Sequence, residues 1–62
     1  MNNVIIRTAL LRFRVRAYEL ARNIMGVSEN TLYRRLRAEL PEEEQEKIAA
    51  EIAAYAARRA GN

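Results

Sequence analysis

Ser28, Glu29, Asn30, Tyr33, Arg34 and Arg37 fall within ten consecutive residues of this 62-residue chain, and side chains of these types can read and grip a nucleic acid. An Asn amide matches the adenine edge through two bonds, a guanidinium matches guanine O6 and N7, and a carboxylate accepts from cytosine N4. Asn30, Arg34 and Arg37 are spaced i, i+4, i+7, so on a helix they share one face, while Leu32 and Leu36 mark the opposite one. Arg34 is the strongest candidate for reading a base and Arg37 for holding a phosphate. Tyr33 shares their face and suits a thymine methyl, a phosphate or packing beside the core. Arg35 points elsewhere, either to a phosphate or to Glu39 at i+4. The plainer alternative for the whole set is a solvated basic face, with Ser28 acting only as a helix cap and Glu29 placed to suit the helix dipole.

Charge is distributed unevenly. Residues 1–40 carry eight arginines against Glu19, Glu29 and Glu39, a net +5, whereas residues 41–62 carry Lys47, Arg58 and Arg59 against five glutamates, a net −2. Ten of the eleven basic residues are arginine, whose planar fork binds phosphate and guanine in a bidentate manner that lysine cannot match. A basic front of this kind points to an oriented polyanion. Arg7, Arg12, Arg14 and Arg16 form a second basic cluster. Within it Arg14 and Arg16, with Tyr18 nearby, are candidates for salt-sensitive phosphate contacts.

Other chemistries find little to work with. Histidine and cysteine are both absent, which removes disulfides, the usual zinc ligands and the commonest general base. No nucleophile–base pair and no phosphate-cradling glycine loop is present, so neither an enzyme, a cofactor nor a metal site is expected. No run approaches the roughly 18 apolar residues that span a bilayer, and Arg7 follows Val4–Ile6 too soon for a secretory leader. The expectation is a cytoplasmic protein without membrane contact. Residues 1–62 make one domain, which buries only about 60% of its unfolded surface and is stable by a few kcal/mol.

The elements that must position these residues follow from apolar periodicity. Asn2 or Asn3 can cap a first helix carrying Ile6, Ala9, Leu10 and Phe13, with Arg14–Arg16 as a short turn. A second helix from Ala17 carries Leu20, Ala21, Ile24 and Met25 and stops at Gly26, which takes a left-handed conformation without steric cost. Val27 plugs the turn, Ser28 caps a third helix running to about Glu39, and Pro41 suits the first position of a fourth. Glu42, Glu43 and Glu44 favour that helix's start, and Arg58 and Arg59 its end. Its apolar face is Ile48, Ala49, Ile52, Ala53, Tyr55 and Ala56. The predicted fold class is all-α, a compact four-helix domain containing a helix-turn-helix.

Five segments carry a family resemblance: Ala9-Leu10, Tyr18-Glu-Leu-Ala21, Gly26-Val-Ser-Glu-Asn-Thr-Leu32, Arg34-Arg-Leu-Arg37 and Leu40-Pro-Glu-Glu-Glu-Gln-Glu-Lys-Ile48. Residues 9–51 resemble the small Cro-like helix-turn-helix regulators of phages and mobile elements, the XRE-type class with a lambda-repressor-like fold. Three features depart from that pattern. Four residues rather than three separate Ala21 from Gly26, which implies a longer second helix or a longer turn. Arg16-Ala17 replaces the Thr-Gln often found there, and Arg14 replaces a loop glycine. A second resemblance, to the Fis-type motif, places Arg22 at a small-residue position and leaves residues 41–62 unexplained.

The resemblance implies sequence-specific binding of double-stranded DNA by a transcriptional regulator, with residues 28–39 in the major groove. Ser28, Glu29, Asn30, Tyr33 and Arg34 would touch bases, and Arg14, Arg16, Tyr18, Arg35 and Arg37 phosphates. A homodimer on a palindromic site is expected, with Ile52, Tyr55 and Ala56 of the fourth helix as its possible interface. The alternative is a protein-interaction module, an antirepressor or assembly factor, that keeps the fold without recognising DNA.

Overall fold

The computed structural model describes residues 2–61. Its element order is α1 (Val4–Phe13), α2 (Ala17–Glu19, continued as a π-helical segment Leu20–Met25), α3 (Glu29–Leu36) and α4 (Glu42–Ala60). The described residues contain no strand. None of their helices is long and apolar enough to cross a membrane.

The core takes side chains from every element. Ile6 and Ala9 of α1, Leu20 and Ala21 of α2, Leu32 of α3, and Ile48 and Ile52 of α4 are buried together with Val15 from the first connection. Leu10, Phe13, Ile24, Met25, Val27 and Leu36 pack against this centre while remaining partly exposed. The N-terminal ends of α1 and α4 meet where Gln45 accepts from the Ile5 N–H at 3.1 Å. Their C-terminal ends meet where Arg59 donates to the Phe13 carbonyl at 3.1 Å. The two helices therefore run side by side in the same direction, with α2 and α3 forming the return path between them.

Arg14 ends α1 in a left-handed conformation (φ 55°, ψ 42°). Its N–H reaches the Leu11 carbonyl, and the Val15 N–H reaches that of Leu10 at 3.0 Å. This is the paired closure of a Schellman motif, in which the residue after the left-handed one turns back onto the helix. It explains why Val15, placed in a turn by the sequence, belongs to the core. A side chain in this region costs about 1–2 kcal/mol relative to glycine, partly offset by glycine's greater freedom in the unfolded chain. Arg14→Gly should therefore raise stability by about 0.5–1 kcal/mol, read as a higher urea midpoint at unchanged slope. An unchanged or lower midpoint would show the turn to be unstrained.

The four residues between Ala21 and Gly26 all lie inside α2. Leu20–Met25 follows the wider π pattern, and the Gly26 N–H bonds to the Ala21 carbonyl, five residues back. The Val27 N–H shares that carbonyl at 2.8 Å. A π turn inserts one residue without ending the helix. Gly26 then turns the chain at φ 69°.

Ser28 opens α3 as expected: its Oγ accepts from the Thr31 N–H at 3.2 Å and donates to Thr31 Oγ1 at 3.0 Å. The far end differs from expectation, because α3 stops at Leu36 rather than near Glu39. The cause lies 33 residues upstream. Asn3 donates through Nδ2 to the carbonyls of Leu36 (3.0 Å) and Ala38 (3.1 Å), and its Oδ1 accepts from the Leu40 N–H (2.9 Å). One amide thus takes groups that a continuing helix would need. Asn3 is fully buried and left-handed (φ 58°). It precedes α1 as expected, but its side chain makes no capping bond there.

Capping of α1 comes instead from the first turn of α4. Gln45, nearly fully buried, serves Ile5 as described and donates through Nε2 to Glu39 Oε2 (2.8 Å) and the Leu40 carbonyl (2.9 Å). Glu39 Oε1 accepts from the Asn3 N–H at 2.9 Å. The possible pairing of Glu39 with Arg35 does not form: the carboxylate is turned to Asn3 and Gln45, and Arg35 lines a cleft toward α4. Pro41 occupies the cap position of α4, one residue earlier than expected.

The Asn3 N–H and then the Gln45 amide hold the Glu39 carboxyl below its usual value of 4.5, against an opposing desolvation. A lowered value in the folded state means that the associated stability is complete above pH 4.5 and is lost as pH falls through the folded value. Thermal melts should show wild type losing more of its melting temperature between pH 5 and 2.5 (about the range of carboxylate titration) than Glu39→Gln does. Parallel losses in the two proteins would exclude Glu39 as a source of acid sensitivity.

Candidate nucleic-acid interface

α3 is held by Leu32, which is fully buried, and by Leu36 and Val27 beside it. This anchoring turns Asn30, Tyr33, Arg34 and Arg37 to the outside, and all four are exposed. Tyr33 retains 51% of its accessible surface. The spacing places them on one face of the helix and its first residue beyond. Ser28 is exposed at the head of that helix, and Glu29, in its first turn, is half-buried.

The remaining candidates separate. Arg35 lies on the other flank of α3, where it lines a cleft toward α4 with Glu44, Lys47 and Glu51. It does not share the face of Arg34 and Arg37. Arg16 is the exposed residue before α2, and Tyr18 is 45% exposed in its first turn. Ala17 between them lines a cleft with Tyr33 and Arg37, so the start of α2 borders the exposed face of α3.

The second basic cluster, Arg7, Arg12, Arg14 and Arg16, also divides. Arg12 stacks on the Phe13 ring at 5.8 Å, and with Arg14 and Arg59 it lines a depression beside Ala53 and Ala57. Arg14 therefore lies at the α1–α4 end, not beside α3. Arg59 is occupied by its bonds to Glu19 Oε2 (2.6 Å) and to the carbonyls of Phe13 and Arg14, and it stacks over Tyr55 at 5.6 Å. Rather than serving only its own helix end, it fastens α4 to α1 and α2.

Arg7, like Arg16, lies on the α3 side, and it alone of the four lines the cleft there. Its Nε donates to the Asn2 carbonyl at 2.9 Å, while Asn2 Nδ2 donates to the Arg37 carbonyl at 3.1 Å. Asn2, Arg7, Leu10, Ala17, Tyr33, Leu36 and Arg37 line an open cleft of about 430 Å³. Two guanidiniums border it and no carboxylate does. The carboxylates of α4 lie elsewhere: Glu44 and Glu51 border the Arg35 cleft. Sequence reasoning did not join Asn2 and Arg7 to this face, since 35 residues separate Asn2 from Arg37 and no short-range pattern links them.

The fourth-helix residues anticipated at a subunit interface are used within the subunit. Ile52 is fully buried, and Tyr55 and Ala56 pack against the core. The Tyr55 hydroxyl accepts from Asn23 Nδ2 at 3.0 Å. Among the described residues no cluster of three or more carboxylates could hold a metal ion. No family model, curated protein or solved structure matches the chain.

Proposed function

We propose that this protein binds double-stranded DNA sequence-specifically, as a regulator of the Cro-like kind, with α2, the Gly26–Ser28 turn and α3 acting as a helix-turn-helix. The observation that carries this reading is the unobstructed face of α3, where Asn30, Tyr33, Arg34 and Arg37 emerge together. A helix so presented fits the major groove with its N-terminal turns toward base edges. Asn30 and Arg34 have the chemistry to specify adenine and guanine. Ser28 and Glu29 border the same groove, and Arg16, Tyr18 and Arg37 suit the flanking phosphates. Arg35 and Arg14 are more distant and contribute to the general field. The chemistry is binding, not catalysis.

One such module touches few base pairs, so two copies on a palindromic site are part of the proposal. Their contact must use a face other than Ile52, Tyr55 and Ala56. The test is selection of bound fragments from a genomic library, followed by affinity measurement at fixed salt. The proposal expects one duplex sequence to bind well above arbitrary duplex. Equal affinity for all sequences would reduce the protein to a non-specific polycation binder.

A second reading, a protein-interaction module, has one observation in its favour. Leu11 is 82% exposed and Val4 52% exposed on α1, and their i, i+7 spacing puts them on one face. Absence of any duplex binding at low salt would favour it.

A further inference from the structure

The cleft between α1 and α3 has a composition that the reading of α3 alone does not require. Its floor is Leu10, Ala17 and Leu36, and its rim is Asn2, Arg7, Tyr33 and Arg37. Arg7 is not free to wander. The bond from its Nε to the Asn2 carbonyl fixes the base of the guanidinium fork, and Asn2 is itself tied to the end of α3 through the Arg37 carbonyl. One of the five guanidinium N–H donors is thereby used, leaving four, on two nitrogens, for an external acceptor. No acidic side chain competes for them: the ion pair found among the described residues joins Arg59 to Glu19, at the other end of the molecule.

We propose that Arg7, steadied by Asn2 against the end of α3, joins Arg37 in gripping a phosphodiester of the DNA strand that borders the groove entered by α3. The inference rests on the DNA-binding reading and deepens it. Two cations without a carboxylate fit the charge of a phosphate, and the forked geometry fits its paired oxygens. Because the grip falls on backbone, it carries no sequence information and sets how α3 docks. Asn2 is a positioning residue in this arrangement. It orients Arg7 and ties it to α3, so the two arginines move as one unit.

The test compares wild type, Arg7→Ala, Arg7→Gln and Arg58→Ala on the selected duplex and on a scrambled one between about 50 and 200 mM salt, a range wide enough for the linear fall of log affinity with log salt to be read as a slope. Arg58, exposed on α4, controls for loss of one charge anywhere on the protein. The grip predicts that both Arg7 variants lose affinity several-fold, by the same factor on both duplexes. Their plots of log affinity against log salt should be shallower by about 0.9, while Arg58→Ala keeps the wild-type slope. Arg7→Gln retains the side-chain stem, and a melt identical to wild type separates its effect from misfolding. Arg7 variants that behave as Arg58→Ala does, or that lose affinity only for the selected sequence, overturn the grip and leave DNA binding by α3 standing. A wild type that binds neither duplex overturns both.

Discussion

Arg34→Ala is expected to lose about five- to 150-fold of its preference for the selected duplex over a scrambled one, the roughly 1–3 kcal/mol of one bidentate base contact. Arg34 is exposed on α3 and forms no ion pair among the described residues. Its removal therefore leaves the folded protein intact, and the melting temperature should stay near that of wild type. The affected quantity is discrimination. Affinity for scrambled duplex should fall only by what one lost charge costs, the behaviour of Arg58→Ala. Selection repeated with the variant should relax one base position and keep the others. A variant that loses affinity equally for both duplexes would reassign Arg34 to a phosphate, and one that changes neither would remove it from the interface.

Asn3→Ala should have the largest effect on stability. The Asn3 amide serves Leu36, Ala38 and Leu40 at once and is fully buried. Each buried partner left unsatisfied costs about 1–3 kcal/mol. Ala38 is exposed, so its carbonyl can recover water, and most of the cost falls on Leu36 and Leu40. Alanine also sits poorly at φ 58°, a conformation that asparagine tolerates. The total is on the order of 3 kcal/mol, most of what a domain of this size possesses. Far-UV circular dichroism at 25 °C (the temperature to which these energies refer) should show substantial unfolding. Asn3→Gly, which restores the backbone but not the bonds, should recover only part. A melt of Asn3→Ala within a few degrees of wild type would mean that the three bonds are dispensable.

These two residues mark how far the sequence could be read. Arg34 was visible because it follows local rules: Ser28 caps, Leu32 and Leu36 face inward, and helical spacing fixes what faces outward. Asn3 was expected near the start of α1 but not in its actual role, because its partners lie more than 30 residues away and nothing local distinguishes it from Asn2. Gln45, which stands among the glutamates of α4 and drew no expectation of its own, was hidden by the same separation. The end of α3 was misplaced because the bonds that stop it come from Asn3, not from its own sequence. The π turn of α2 was legible only as a surplus residue between Ala21 and Gly26, since wide and ordinary turns accept the same apolar residues. Val15 was missed because a left-handed Arg14, unlike a glycine, does not announce the turn that buries it.

Charge was read correctly in sum but not in place. The first forty residues hold eight of the ten arginines, yet the fold sends Arg12 and Arg14 to the α1–α4 end and, of the arginines on α1, only Arg7 to the side of α3. Position on the α1 helix decides this. Arg7 lies on the flank that meets α3 and Arg12 on the flank that meets α4. The cations around the outward face of α3 are therefore Arg7, Arg16, Arg34 and Arg37, not the whole set.

The central claim, that the outward face of α3 is where DNA sits, is tested most directly by titrating isotope-labelled protein with the selected duplex and following each backbone amide by NMR. The account predicts shifts concentrated in residues 28–37, with smaller ones at 16–18 and near Asn2 and Arg7, while the outer face of α4 around Ala50 and Ala54 stays unchanged. Shifts that gather on α4, or on Val4 and Leu11, with residues 28–37 unmoved at saturation would contradict it.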